Sequence, residues 1–406
     1  MKHGSLHGAP RVAVEVAVVA TEKLSRLLLS SLTALGLLLA SLLATCTAAV
    51  LPEDRLDLLY HAYDGGGAQI QGPSLLIRKS FSNKVSVRAN YYVDMVSSAS
   101  IDVQATASPY AEERVETSLG VDYLLDSTNL SLGITNSEES DYTARSLGLS
   151  ISQSLFGDLT TVTMSASAGE DTVSRNGDTS FSDGVSRRRL GLNIAQVLTK
   201  NLIVAANAET VIDQGFLNNP YRSVRFVDPA SAQGYSYAAE VYPRTRNSDA
   251  LALRAMYYLP WRASLRGEYR YYSDSWAITA SNVEVKYIQP VPRLLEGLTI
   301  ELKLRGYDQT AAEFYNDLFP YRNAQTFLAR DKELSDFQSR SFGIGLAYEF
   351  KPPVSMLQKS SINLYWDHMQ FRYNNFLDVT RGGPAGAEPA YGFNANVVRL
   401  FLSVWY

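Results

Sequence analysis

The feature of this sequence that most restricts its fold is a period-two alternation of apolar and polar residues, repeated in short segments from residue 54 onward. In one segment, Val87 and Tyr91 fall on one face, and Arg88 and Asp94 fall on the other. Successive side chains of a β-strand point to opposite faces, so this alternation is typical of a strand whose two faces meet different surroundings. The repetition predicts an all-β chain.

Turn-forming residues separate sixteen such segments, and brief connections alternate with longer ones. The predicted strands are 54–63, 70–80, 84–95, 112–125, 128–136, 141–154, 158–168, 187–198, 201–212, 246–258, 262–272, 276–288, 298–308, 339–350, 360–373 and 395–406. The longer loops are 96–111, 169–186, 213–245, 309–338 and 374–394. An even strand number with short turns at one end is typical of a transmembrane antiparallel β-barrel, here of about 16 strands, with 14 to 18 as alternatives. The segment 235–242 also alternates, and we place it in a long outer loop because counting it alone would invert every later strand.

The last segment alternates up to the final aromatic residue, Tyr406. It resembles the C-terminal assembly signal of bacterial outer-membrane barrels. The alternative is the edge strand of a soluble sheet, where an exposed apolar edge would favour aggregation. We therefore expect outer-membrane lipid, lipopolysaccharide and the barrel assembly machinery as partners, and location in the outer membrane of a Gram-negative bacterium.

Residues 1–49 have the order of a secretory signal peptide, which makes residues 50–406 the predicted barrel domain. A basic front precedes an uncharged apolar run over 27–44, and small residues follow up to Ala49. A retained membrane anchor and lipidation of the single cysteine, Cys46, are the alternatives. Cleavage near Ala49 would leave no thiol in the oxidising periplasm.

Composition argues against several classes of function. The chain has 37 basic and 41 acidic residues, and a basic surface of the kind that binds nucleic acid is not expected. Only four histidines occur, and no pair has the spacing of a zinc site, so we expect no metal, no cofactor and no enzymatic activity. His368 beside Asp367 leaves an outer-membrane hydrolase as a weak alternative.

The polar faces of the strands predict a charged barrel interior. The residues expected to line the lumen are Arg88, Asp94, Arg254, Arg266, Glu268, Arg270, Glu284, Lys286, Glu301, Lys303 and Arg305. Two long loops share a short phrase ending at Arg222 and at Arg322. We hypothesise that these loops fold inward or cap the barrel, with the two arginines pairing with lumen acids, and a chance similarity is the alternative. The run 187–189 is three arginines, which would contact either lipopolysaccharide phosphates or the rim of the lumen.

Five stretches carry a resemblance to a known family. They are Tyr60-His-Ala-Tyr-Asp-Gly-Gly-Gly67, Ala89-Asn-Tyr-Tyr-Val-Asp-Met-Val-Ser-Ser-Ala-Ser-Ile-Asp102, Thr135-Asn-Ser-Glu-Glu-Ser-Asp-Tyr142, Gly215-Phe-Leu-Asn-Asn-Pro-Tyr-Arg222 and Glu240-Val-Tyr-Pro243. They resemble a family of proteobacterial outer-membrane proteins catalogued only as a domain of unknown function. The resemblance implies an outer-membrane barrel and supplies no catalytic residue. It also suggests a periplasmic partner protein from an envelope redox or flavin-attachment system.

The expected function is a porin-like pore for small polar solutes, since sixteen strands enclose a lumen wide enough for water. The main alternative is a non-conducting barrel that serves as a scaffold for that periplasmic partner.

Overall fold

The structure is a computed structural model that describes residues 50–98 and 110–406. The predicted signal peptide, residues 1–49, and most of the predicted loop 96–111 lie outside the described residues. The strands are β1 (Arg55–Gly65), β2 (Ala68–Phe81), β3 (Val85–Ser98), β4 (Tyr110–Leu125), β5 (Thr128–Glu138), β6 (Tyr142–Leu155), β7 (Thr160–Ser174), β8 (Ser182–Thr199), β9 (Leu202–Gly215), β10 (Ser223–Val227), β11 (Tyr235–Ala239), β12 (Thr245–Tyr258), β13 (Ser264–Asp274), β14 (Thr279–Pro290), β15 (Leu298–Gln309), β16 (Phe337–Phe350), β17 (Lys359–Leu377) and β18 (Ala390–Trp405). Two short 3₁₀ helices span Lys332–Leu334 and Val379–Arg381.

Sixteen of these strands form one closed barrel in which every neighbouring pair is antiparallel, and β10 and β11 form a separate hairpin. The barrel closes where β1 pairs with β18, from Arg55 opposite Trp405 to Gly65 opposite Ala395. The predicted sixteen-stranded antiparallel barrel is therefore confirmed. Closure leaves no free strand edge, as a sheet in lipid requires.

The outer face of the barrel is a belt of exposed apolar side chains. Leu119, Leu147, Leu253 and Leu304 are between 52% and 61% exposed, and comparable residues occur on every side of the barrel. Contiguous apolar surface of this extent is unfavourable in water and favourable against hydrocarbon. The alternation thus places apolar residues outside and charged residues inside, the arrangement of a transmembrane barrel.

The two ends of the barrel differ. β1 begins and β18 ends at the same end of the barrel, here called the turn end. Its connections are 82–84, 126–127, 156–159, 200–201, 259–263, 291–297 and 351–358. The opposite end, here called the loop end, carries the long segments 216–244, 310–336 and 378–389. The loop end also carries the short connections 66–67, 139–141 and 275–278, so the predicted alternation of brief and long connections is only partial.

Two predicted loop bounds were wrong. The loop predicted at 169–186 spans only 175–181, because β7 and β8 stay paired up to Ser174 opposite Ser182. The loop predicted at 374–394 spans only 378–389 for the same reason. The segment 235–242 lies in the long connection between β9 and β12 and not in the barrel wall, and β11 pairs there with β10. Among the described residues, no helix is long and apolar enough to cross a membrane.

Candidate functional site

All eleven residues predicted to line the lumen lie on the inner face of the barrel. On β13, for example, Leu265, Tyr269 and Tyr271 are exposed on the outer face, so Arg266 and Arg270 point inward. The same alternation places the others inside, and they are Arg88, Asp94, Arg254, Glu268, Glu284, Lys286, Glu301, Lys303 and Arg305.

Part of the inner wall is neutralised by short ion pairs. On β15, Lys303 Nζ lies 2.5 Å from Asp367 Oδ1 of β17, and Arg399 of β18 lies 2.7 Å from the other oxygen of Asp367. Gly343 of β16 lies between these strands, and a Cβ there would sit 2.1 Å from Asp367 Oδ1. The glycine therefore provides the space in which this carboxylate reaches across β16. Lys286 lies 3.3 Å from Glu301 in a similar pair.

The wall of β1–β4 is also neutralised. Asp122 accepts hydrogen bonds from Arg88 at 2.9 Å and from Arg78 at 3.1 Å, and it is buried. Asp94 lies 2.7 Å from His61 Nε2, and the His61 ring stacks on a neighbouring tyrosine. These contacts join β1, β2, β3 and β4 across the inner face.

A second part of the inner wall is rich in water-exposed arginine. We call Arg189, Arg254, Arg270 and Arg305 the arginine wall. The first three side chains are 60%, 54% and 46% exposed, although they point into the barrel. Exposure inside a closed barrel requires an interior space that water enters, so the lumen is hydrated at this level.

Three long segments at the loop end fold together into a cap, defined as residues 216–244, 310–336 and 378–389. Backbone hydrogen bonds join the first two segments: Val227 N donates to Phe319 O at 2.9 Å, and Val241 and Leu328 exchange a pair of bonds at 2.9 and 2.7 Å. Within the third segment, the backbone N–H of Asp378 donates to Pro389 O. The long loops are therefore ordered by one another.

A buried ion cluster fixes these segments. Arg225 is fully buried, and its guanidinium lies 2.5 Å from Glu388 Oε1 and also pairs with Asp317. Arg330 donates to the other oxygen of Asp317 at 3.1 Å. Burying four charges is favourable only when each is paired and hydrogen-bonded, as here. Sequence reasoning missed this cluster, because its members lie far apart in irregular segments.

Aromatic side chains join the cap to the inner wall. Phe314 packs on Tyr242 and Trp276 in a core that also contacts the inward-facing Tyr272 of β13. A second core places Tyr315 of the cap against inward-facing rings at the loop end of β17 and β18. The cap thus rests firmly on the β12–β18 side of the barrel.

A cavity of about 640 Å³ lies between the cap and the opposite wall. The wall contributes Tyr142, Arg187 and Asp213 from β6, β8 and β9, and the cap contributes residues 216–223 with Glu240. Successive inward-facing residues of a strand lie about 7 Å apart. Arg189 is the next inward residue after Arg187, so the cavity lies directly above the arginine wall.

Glu240 is the buried acid of the cap that faces this cavity. It accepts hydrogen bonds from Arg330 N and from the hydroxyl of Tyr242, each at 2.7 Å. Burial raises the pKa of Glu240 to about 7, and the nearby carboxylate of Asp331 acts in the same direction. The carboxyl therefore titrates near neutral pH.

The hypothesis about the two loop arginines was partly wrong. Both loops fold over the lumen, but Arg222 pairs with Asp331 inside the cap, not with an acid of the barrel wall. Arg322 is exposed, and its side chain forms no ion pair in the part of the chain that the structure describes. The arginine that anchors the first loop is Arg225, three positions after Arg222.

The arginine run divides between the two faces. Arg187 points inward and lies 2.5 Å from Asp171, while Arg188 points outward and is exposed at the loop end. The sequence left two positions open for this run, and both are occupied: Arg187 lies at the lumen rim and Arg188 lies on the outer surface.

The geometry does not support a catalytic pair at His368. Asp367 points into the lumen, where it binds Lys303 and Arg399. His368 points outward beside Trp366, and its Nδ1 lies 3.1 Å from Asn396 Oδ1. Adjacent strand residues face opposite sides, so these two cannot act on one substrate.

One group of carboxylates has metal-ligand spacing among the described residues. Oxygen atoms of Glu112, Glu139 and Asp141 lie within 4.8 Å of one another at the edge of the cavity. Burial raises the pKa of Glu139, and the Glu112 carboxylate adds to the effect. Oxygen ligands of this kind suit hard cations.

Tyr406 lies at the barrel seam. Its hydroxyl donates to Arg78 O of β2 at 2.9 Å, and Lys79 Nζ lies 4.9 Å from the centre of its ring. The residue predicted as an assembly signal thus joins the end of β18 to β2, across β1.

Several solved structures are similar to this chain. The siderophore receptor PirA from Pseudomonas aeruginosa is 11% identical, with 87% of this chain and 81% of that chain covered and a TM-score of 0.39. OprD from Pseudomonas aeruginosa is 11% identical, with 88% and 97% covered and a TM-score of 0.41. A bacterial polysaccharide outer membrane secretin is 6% identical, with 88% and 100% covered and a TM-score of 0.47.

No curated protein matches the sequence. The family described as "Protein of unknown function (DUF3570)" matches residues 100–190 and 182–370, which together span more than half of the chain. This chain therefore belongs to the DUF3570 family.

Proposed function

We propose that this protein is a pore for small polar solutes in the bacterial outer membrane, and that it is not an enzyme. The observation that carries the proposal is the exposure of inward-facing arginines, 60% for Arg189 and 54% for Arg254. A barrel filled by its own side chains would bury these groups or pair them fully. Their exposure instead supports a continuous aqueous space at mid-barrel.

The route into this space runs beside the cap. The cap packs its aromatic cores against β12–β18, whereas it meets the loop ends of β5–β8 through single contacts, such as that of Tyr221 with Asp141, beside a cavity of about 640 Å³. That volume accommodates a small organic solute. The cap would then narrow the entrance and select solutes by size, with Arg187 and Asp213 at its lower edge.

Single-channel conductance of the purified full chain in a planar bilayer tests the pore. Discrete conductance steps are expected, and deletion of 313–330 should enlarge them, because this segment supplies Phe314, Asp317 and Phe319 to the cap. Absence of any steady conductance in both proteins would overturn the proposal.

The second candidate is a non-conducting scaffold for a periplasmic redox or flavin-attachment partner. The buried cluster of Arg225, Asp317, Glu388 and Arg330 favours it, since a cap held so firmly could close the loop end. The deletion distinguishes the two candidates. A scaffold closed by the cap would conduct only after 313–330 is removed, whereas a pore conducts before.

A further inference from the structure

Charge is distributed unevenly over the inner wall. The cations nearer the turn end on β14, β15 and β18 have close carboxylate partners, with distances of 2.5 Å for Lys303, 2.7 Å for Arg399 and 3.3 Å for Lys286. The four guanidinium groups of the arginine wall share only two such partners among the described residues, Glu209 and Glu268. This part of the lumen therefore carries an excess of positive charge.

The individual contacts show how weakly that excess is compensated. Glu209 is shared between Arg189 at 3.9 Å and Arg270 at 3.5 Å, both longer than the pairs of Lys303, Arg399 and Lys286. Arg305 donates to the amide oxygen of Asn282 at 2.5 Å, and no carboxylate of the described residues pairs with it. Only Arg254 has a close pair, at 2.5 Å from Glu268.

The strand register brings two of these groups together. Asn282 of β14 is directly opposite Arg270 of β13, and Arg305 of β15 reaches Asn282 from the other side. Two guanidinium groups thus flank one amide on a rigid sheet. They present several N–H donors to water and leave few acceptors to satisfy them. A planar guanidinium binds carboxylate and phosphate oxygens in a bidentate manner, and pre-positioned groups bind more tightly.

We propose that the arginine wall is a binding site for small oxyanions, so that the pore serves solutes carrying a carboxylate or phosphate group. This inference rests on the proposed pore function. Fixed positive charge in a confined aqueous channel raises the local concentration of anions, and the flanking guanidiniums would retain those with oxygen ligands. Carboxylates and phosphates share this chemistry, and the experiment separates them.

The test uses the full chain and its double variant Arg270→Gln, Arg305→Gln. Arg340→Gln is the matched control, because Arg340 is also an exposed strand arginine but shares the outer face with Phe342. In a KCl gradient, the reversal potential of the wild-type protein should indicate anion preference, and the double variant should lose that preference. The control should retain it.

Citrate and inorganic phosphate are the two probes. Each is titrated into the detergent-solubilised protein by calorimetry and added to the bilayer as a blocker. Loss of two charge-assisted contacts should raise the dissociation constant of the bound probe about tenfold or more in the double variant. Citrate binding alone assigns carboxylate solutes, and phosphate binding alone assigns phosphate solutes.

The outcomes separate this inference from the pore itself. A conducting barrel without anion preference, or one in which the double variant behaves as wild type, overturns the oxyanion site and leaves the pore. A barrel without conductance overturns the pore, and calorimetry then decides the oxyanion site alone. Binding of neither probe overturns the site whatever the conductance.

Discussion

Replacement of Arg225 by Gln should loosen the cap without unfolding the barrel. The Arg225 side chain is fully buried between Asp317 and Glu388, both of which are also buried. The substitution removes two ion pairs and a hydrogen bond from Arg225 Nε to Asp317 O at 3.0 Å. The barrel should stay folded, because each of its strands is stabilised by pairing with neighbouring strands. The partners of Arg225 in these ion pairs and this hydrogen bond all lie in the cap.

The free-energy cost of the substitution depends on which hydrogen-bond partners Asp317 and Glu388 retain. Asp317 retains Arg330 at 3.1 Å and the backbone N–H of Leu377 at 3.0 Å. Glu388 retains only the backbone N–H of Gly386 at 2.9 Å among the hydrogen bonds described. One buried carboxylate is thus left without a cation, a loss that costs about 3 kcal/mol, or roughly two orders of magnitude in the opening equilibrium.

Hydrogen–deuterium exchange of the purified protein measures this directly. Amides of β10 and β11 and of residues 314–329 should exchange about a hundredfold faster, while those of β5 and β6 should not change. Arg381→Gln is the control in the same cap, because its side chain is 67% exposed and its pair with Asp378 contributes under about 1 kcal/mol. Unchanged exchange in the Arg225 variant would refute the role assigned to the cluster.

Two further predictions concern the cap and the inner wall. The folded-state pKa of Glu240, about 7, lies above its ordinary value of 4.5, so the folded cap binds the extra proton between these values. Cap stability should therefore be greatest near pH 4.5, fall by up to about 3 kcal/mol as the pH rises to 7, and change little above it. Amide exchange of 235–242 at pH 5 and pH 8 checks this, and Glu240→Gln should remove the dependence; a slope that persists in that variant would contradict the assignment. On the wall, Gly343→Ala should lower the thermal unfolding temperature by a loss of about 1–3 kcal/mol, because its Cβ meets Asp367 and disturbs the pair with Lys303. Gly306→Ala, which has open space around the added carbon, should be nearly neutral, and equal effects of the two would argue against the close contact.

The barrel could be predicted from sequence because its signal is local and repeated. Within each strand, apolar and polar residues alternate between the two faces. The inward positions of Arg270 and Lys303 therefore follow from the outward positions of the apolar residues beside them. The prediction of strand ends failed where the apolar–polar alternation is weak. Small and polar residues around 169–174 and 182–186 weaken the apolar contrast, and strand pairing with neighbours extends β7 and β8 beyond it.

The contacts that hold the cap could not be predicted, because they join segments that are distant in the sequence. Arg225 bonds to Asp317 at a separation of 92 positions and to Glu388 at 163. No periodicity marks these residues. The short phrase shared by two loops drew attention to Arg222 and Arg322, yet the first binds within the cap and the second is exposed. The excess charge of the arginine wall also depends on which acids lie opposite, which only the register shows.

The seam between β1 and β18 has a consequence for how the chain folds. To join β1 to β18, residue 55 must meet residue 405, which lies 350 positions later in the chain. Every other neighbouring pair in the wall, except β9 with β12, consists of strands that are consecutive in the sequence. Bringing such distant segments together carries a large loop-closure entropy, so closure is expected to follow the assembly of the hairpins and to limit the folding rate. Until that step, two long apolar strand edges remain unpaired. The open sheet is then the species most liable to aggregate.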